Sequence, residues 1–275
     1  MTDPARPAPG PLSVVEPWDL VAEGYTAEMP NVMLPFARHA IDLAAPARSA
    51  QVLDVATGPG VLALELAPRV KRVDAVDFSP AMLEQLERQR TALGIENVVS
   101  RLADGQALPF ADASFDAAFS MFGLMFFPDR AQGFAELYRT LRPGGVAVVS
   151  SWAPVDQSPL MMLMFGALRA ADPSRAAPQR NLLNLENPEV FQQELEAAGF
   201  RDVRVEPRTH SLRVEDPVAW WELLCKASAP LVLLKHRLGA SEWQRQSELA
   251  QAYLSEQIAS PRELSTTAYL GFGRR

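Results

Sequence analysis

The stretch VLDVATGPG, Val52–Gly60, decides how the rest of the chain is read. Its apolar start has the look of a central strand, yet it exits through one acid and two glycines set around a proline. An ordinary strand exit needs a single turn residue. Gly58 and Gly60 permit positive φ or a close approach of ligand to backbone. The helical pattern that follows, VLALELA, brings unpaired amides and the positive end of a helix to the same place. Alone, a G-x-G after a strand also fits the opening of a nicotinamide-dependent dehydrogenase, with the third small residue at Ala63.

Outward from this stretch, short apolar runs alternate with helical patterns. RVDAVDF precedes a helix expected over 80–93, with Ser79 as N-cap, Pro80 in the first turn and Gly94 as the stop. NVVSRLA, FDAAFS and GVAVVSSW read as further strands, with a helix over 129–141 between the last two. Such alternation predicts a parallel sheet covered on both faces, with ligands at the carboxyl ends of its strands. Beyond Trp152 the pattern changes to a Pro-rich loop, a Met-rich helix and a capped helix closed by Gly199. RDVRVEP and THSLRV then read as two strand-like runs. Two helices follow, one entered through DPVAWW and one at Ser241 with Gln244 completing a capping box. STTAYLGFGRR has the composition of a last strand.

Composition narrows the function classes. A formal charge of −7 over 275 residues argues against a nucleic-acid partner, whose phosphates are met by clustered Lys and Arg. One cysteine, Cys225, excludes an intrachain disulfide framework and a cysteine-rich zinc site, and no metal site is expected. The start, MTDPARPAPGPL, lacks the apolar segment of a signal peptide, and no apolar run reaches the ~18 residues of a spanning helix. The expectation is a cytoplasmic protein with a small-molecule substrate and no membrane partner.

Three further stretches sharpen this. Asp77 ends VDAVD about twenty residues after the glycines, where an acid accepts both hydroxyls of a ribose, although it also reads as a helix-entry acid beside Ser79. ADGQALPFADASFDAAFS (103–120) and LRPGGVAVVSSW (141–152) follow. With VLDVATGPG and VDAVDFSPAML they closely resemble class I S-adenosylmethionine-dependent methyltransferases, in particular the quinone-biosynthesis C-methyltransferase and small-molecule methyltransferase group. The resemblance covers roughly residues 18–152.

It implies a Rossmann-like, doubly wound α/β fold: a mostly parallel seven-stranded sheet with an antiparallel last strand and a helical lid. Residues 1–17 are expected as a flexible tip and 18–275 as one methyltransferase domain, with substrate-lid insertions at about 153–187 and 216–262. The resemblance further implies that Asp54, Ala56, Thr57, Gly58 and Gly60 surround the methionine part of S-adenosylmethionine. Asp77 would hold the ribose, Phe78 would lie on the adenine, and Asp104 and Gly105 would meet its edge. The carbonyl of Ser120 would approach the amino group, and Tyr25, on the leading helix WDLVAEGYT, would close beside the cofactor. Ala56 stands where the family often has glycine.

Methyl transfer from a sulfonium mainly needs alignment and exclusion of water, with a general base only where the acceptor must lose a proton. His210 and His236 are the candidates for that base, while His39 lies in an early helix. MFGLMFF after the fourth strand and PLMMLMF after the fifth suggest an apolar pocket through Met121, Phe122 and Met164, suited to an aromatic, polyketide or quinone-like acceptor. The expected activity is therefore methyl transfer to oxygen or carbon of such a molecule in secondary metabolism, leaving S-adenosylhomocysteine. The alternatives are a non-methylating cyclase or isomerase on the same fold that uses the cofactor electrostatically, and a cofactor-binding regulatory protein. Trp220, Trp221 and Trp243 are read as lining either the lid or a homodimer contact.

Overall fold

The computed structural model describes residues 10–182 and 184–275. Residues 1–9 of the expected flexible tip lie outside the described residues. The remainder of that tip, expected to be flexible through residue 17, is instead packed. Ser13 Oγ donates to the Phe126 carbonyl at 2.7 Å, Trp18 Nε1 donates to the Leu12 carbonyl at 2.9 Å, and helix α1 (Glu16–Glu28) has already begun.

Seven strands form one sheet: β1 (Gln51–Val55), β2 (Arg72–Asp77), β3 (Val98–Leu102), β4 (Phe115–Met121), β5 (Leu141–Trp152), β6 (Arg201–Val214) and β7 (Arg262–Arg274). Their order is β3-β2-β1-β4-β5-β7-β6, with β7 alone running antiparallel to its neighbours. The chain winds outward from β1 to β3 and then restarts at β4 on the other side of β1. That reversal opens a crevice at the carboxyl ends of β1 and β4, where ligands of such sheets sit.

Strand residues alternate between two cores because both faces are covered. On one face Val52, Val73, Phe119, Val148 and Leu270 pack under α2 (Pro30–Ala44), α3 (Val61–Leu66) and α4 (Pro80–Ala92). On the other, Leu53, Val76, Ala118 and Val149 pack under α5 (Arg130–Thr140) and α7 (Pro188–Ala197). The local signals hold at α4: Ser79 Oγ accepts from the Met82 amide at 3.1 Å, and Gly94 turns away at φ +65°.

Two expectations are corrected. The runs RDVRVEP and THSLRV are one strand, β6, which continues through Pro207 opposite Tyr269. β6 is the edge of the sheet, so a residue without an N–H costs no ladder bond on its free side. The segment 216–262 holds three helices rather than two: α8 (Pro217–Ala227), α9 (Ala229–Leu238) and α10 (Ala240–Gln257). Pro230 lies four residues after Lys226 and cannot donate to its carbonyl, which breaks the helix there, and α8 and α9 meet at 85°. The capping box at Ser241 does not form. Gly239, at φ +75°, caps the helix two residues earlier, and Gln244 Nε2 donates to Glu248 instead.

With α6 (Pro159–Ala171), these three helices make a third core around Leu160, Trp220, Trp221, Leu231, Trp243 and Leu254. Among the described residues no single helix is long and apolar enough to cross a membrane, and the bent α8–α9 pair buries Trp220, Trp221 and Leu231. Helix α1 bridges this core to the sheet. Its Val21 and Ala22 lie between Met82 of α4 and Ala229 of α9. Gly24 packs on the Lys226 carbonyl so closely that a Cβ would come within 2.2 Å of the oxygen.

Candidate functional site

The crevice at the ends of β1 and β4 is a cavity of about 260 Å³, near the lower end of small-molecule pockets. Its floor is the loop after β1. Thr57 Oγ1 donates to Asp54 Oδ2 at 2.6 Å, and the Thr57 amide donates to the Val76 carbonyl at 3.0 Å. The Gly58 amide donates to Asp77 Oδ2 at 2.7 Å, and Asp77 Oδ1 accepts from the Ser79 amide at 2.9 Å. Gly60 sits at φ +86°, where an added Cβ would lie 2.2 Å from buried Leu86, so conformation and packing both require glycine.

Burial sets the electrostatics. It pushes Asp54 up to about 7, with Thr57 and the Ala63 amide opposing and nearby Asp77 adding to the rise. Asp77 is pushed up to about 6, again by burial, against the amides of Ser79, Gly58 and Phe78, with Asp19 raising it further. Burial, then Asp77, raises the Tyr25 phenol, so it stays protonated beside these acids. Such a group of carboxyls is suited to a ligand that brings positive charge and hydroxyl donors.

Most residues predicted for the site meet here: Tyr25, Asp54, Ala56, Thr57, Gly58, Asp77, Phe78, Asp104, Gly105, Met121 and Phe122 all line the cavity. Gly60 and Ser120 stand just outside the lining, and the buried Ser120 hydroxyl has no protein partner. Met164 does not reach the site. It packs against the helical core with Leu163 and Leu168, because α6 lies along α10 rather than over the β4 end. His236 is exposed near the end of α9 and also stays away, while His39 Nε2 accepts from Arg208 Nε. His210 on β6 meets Phe36 edge to face at 4.7 Å, and its Nε2 is buried without a protein partner.

Phe126 and Phe127, from the MFGLMFF stretch but not singled out in it, also line the cavity, and sequence reasoning missed Leu12, Ser13, Trp18, Met33, Ala37 and Gln106. Gln106 was legible in principle, as the third residue of Asp-Gly-Gln. Its amide donates to Asp104 Oδ1 at 2.8 Å, its Nε2 holds both carboxylate oxygens, and its Oε1 accepts from the Asp129 amide at 2.9 Å. Asp104 is thereby fixed to the start of α5.

Two left-handed residues flank the crevice, Ala56 at φ +56° and Phe122 at φ +57°. They are close neighbours, since a Cβ on Gly123 would lie 2.2 Å from that of Ala56. The Phe122 amide is held by Ser150 Oγ at 2.9 Å, and its ring stacks on Trp152 at 4.1 Å with Phe36 edge-on at 5.5 Å. An L-residue in the left-handed region costs about 1–2 kcal/mol, part of which glycine recovers and part of which its freer unfolded chain takes back. Ala56→Gly is therefore expected to stabilise the protein by about 0.5–1 kcal/mol, raising the thermal midpoint by about 1–4 °C. A lowered midpoint would mean that the alanine methyl contributes more through packing than its backbone loses.

A glycine-bearing loop at the switch point, an acid closing the next strand and an antiparallel seventh strand define a nucleoside-cofactor-binding fold of the methyltransferase class. Residues 52–145 match the family described as a methyltransferase domain. The chain is 43% identical over 123 residues to demethylmenaquinone methyltransferase of Thermus thermophilus, covering 44% of this chain and 56% of that protein. It is 31% identical over 171 residues to ubiquinone/menaquinone biosynthesis C-methyltransferase UbiE of Citrifermentans bemidjiense, covering 57% and 72%. The chain thus belongs to the class I S-adenosylmethionine-dependent methyltransferases. It spans about half the length of the first curated relatives it matches. The [4+2]-cyclase SpnF has a TM-score of 0.60 with 17% identity, over 98% of this chain and 97% of that one, a likeness of fold alone.

Proposed function

We propose that this protein transfers the methyl group of S-adenosylmethionine to a carbon or oxygen of an apolar hydroxyaromatic molecule of the quinol type. The observation that carries this reading is the cavity itself, whose lining joins the carboxyls of Asp54 and Asp77 and the backbone of Ala56–Gly58 to the rings of Phe122, Phe126 and Phe127. In this reading Asp77 accepts from the ribose and Asp54 and the Ala56–Gly58 backbone surround the amino-acid end. Phe78 and Asp104 hold the base, Asp104 being kept in place by Gln106. Bound there, the cofactor supplies an electrophilic methyl on a cationic sulfur. The protein's part is to align it with the acceptor and to keep water out, and such alignment is worth up to roughly 7–11 kcal/mol in favourable systems. The relatives named for quinone methylation support the acceptor class, and the packed aromatic rings favour a flat apolar molecule.

The test is incubation of the purified protein with methyl-labelled cofactor and a prenylated 1,4-dihydroxynaphthalene. Label in the naphthalene, matched by S-adenosylhomocysteine, is expected. Product rearranged without label transfer would favour the cyclase reading, and cofactor that fails to bind would end both.

A further inference from the structure

Asp104 lines the cavity from an exposed position just after β3, at the start of a turn that the Ala107 amide closes on the Asp104 carbonyl at 3.0 Å. A carboxylate so placed ordinarily swings between rotamers in water. Here it does not, because Gln106, which lines the same cavity, is built around it. The Gln106 amide donates to Asp104 Oδ1 at 2.8 Å, and its Nε2 donates to Oδ1 at 3.1 Å and to Oδ2 at 3.2 Å. Its other end is held as firmly: Oε1 accepts from the Asp129 amide at 2.9 Å, and the backbone carbonyl accepts from Gln132 Nε2 at 3.2 Å.

A carboxamide is nearly symmetric in shape but not in chemistry. Flipped, Gln106 would set its oxygen against a carboxylate and its NH₂ against a backbone N–H, so both partners fix one orientation. Asp129 is in turn the N-cap of α5, accepting from the Gln132 amide at 3.0 Å, and Asp104 is thereby tied to a helix. The ground beside it is equally fixed. Phe127 lies so close to Gly105 and Gly133 that an added Cβ would come within 2.5 and 2.7 Å of its ring.

The acceptors of the carboxylate can then be counted. A carboxylate has about four, two on each oxygen. Gln106 fills both on Oδ1 and one on Oδ2, leaving a single acceptor on a group that cannot turn away. We infer that Gln106 sets the base selectivity of the site: by holding Asp104 it leaves one acceptor for a base with an exocyclic N–H and rejects a base with a carbonyl oxygen in that place. The inference rests on the methyltransferase reading above and deepens it, with Gln106 acting through Asp104 as a positioning residue. Rejection depends on this rigidity. A carboxylate free to rotate would turn to water and leave the oxygen-bearing base unpenalised, whereas one locked by its neighbours faces that oxygen lone pair to lone pair.

The test is calorimetric titration with S-adenosylhomocysteine and S-inosylhomocysteine, in which a carbonyl replaces the amino group of the base. The parent is compared with Gln106→Glu and Gln106→Leu, with thermal unfolding beside each. In Gln106→Glu one oxygen still accepts from the Asp129 amide, while the other has no proton for Asp104; the tie to α5 is kept and the hold on the carboxylate is lost. Gln106→Leu removes both at similar volume. The parent is expected to prefer the adenosyl compound by about 10–10²-fold, the value of one hydrogen bond to a charged group. Both variants are expected to bring that ratio to about threefold or less, through weaker binding of the adenosyl compound and little change for the inosyl one. A Gln106 that only supported the turn would weaken both ligands together and leave the ratio. Retention of the parent's ratio in Gln106→Glu therefore overturns the role of Gln106. A parent that binds both ligands equally overturns base reading by Asp104 and the inference with it, and a parent that binds neither overturns the methyltransferase reading itself.

Discussion

Asp77→Asn is expected to weaken S-adenosylmethionine binding by about 10²–10⁴-fold while leaving the protein folded. The carboxylate already uses one lone pair of each oxygen, accepting from the Gly58 and Ser79 amides, and so keeps one on each for the paired hydroxyls of a ribose. Asparagine preserves the shape but turns one acceptor into a donor that would oppose a backbone N–H. It also removes the charge. Hydrogen bonds to a charged group are worth about 1.5–3 kcal/mol each, and losing two accounts for the expected range. Calorimetric titration of parent and variant, with thermal unfolding beside it, measures both halves of the expectation. Binding within threefold of the parent would remove Asp77 from the ribose and with it the proposed orientation of the cofactor.

Cofactor affinity should also depend steeply on pH. Asp54 and Asp77 lose their protons at about 7 and about 6 in the ligand-free protein. If the ligand requires both as carboxylates, lowering the pH from 8 to 5 weakens binding by up to about a thousandfold, roughly tenfold through Asp77 and a hundredfold through Asp54. The sign for stability is opposite. In the unfolded chain both aspartates titrate near 3.9, so the folded apoprotein holds these protons more tightly. Their contribution is complete below about pH 4 and is lost as the pH rises through about 6 and then about 7. The stabilisation given by a saturating amount of cofactor should thus grow from pH 5 to pH 8, as read from the rise in thermal midpoint. A rise that is constant across this range would place both carboxyls outside the ligand's reach.

The half of the cavity proposed for the cofactor was legible because its determinants are local. Two glycines, an acid closing the next strand and a third acid before a turn each lie within a few residues of a strand end, and the parallel order of strands brings those ends together. The half proposed for the acceptor depends on packing between distant segments. Met164 was placed by its position after β5, yet the direction of α6 is set by its contact with α10, for which the Met-rich pattern holds no information. His210 is one histidine among three, and its place against Phe36 appears only when β6 runs unbroken past Pro207. The wall supplied by Leu12 and Ser13 was hidden for the opposite reason: a Pro- and Gly-rich segment reads as loose, yet its bonds to Phe126 and Trp18 and the packing of Leu12 hold it.

The place of α1 limits how this molecule's parts can be exchanged. Its Trp18 and Tyr25 line the cavity, while its Gly24 and Ala22 fit the break between α8 and α9. One helix therefore serves two neighbours, α4 and the α8–α9 pair, that are about 150 residues apart in the chain. A graft that replaces residues 216–262 would leave Gly24 facing a foreign backbone, so the transplantable unit is that insertion together with α1. Helix α1 and the 216–262 segment are two separate pieces of sequence that must match in shape.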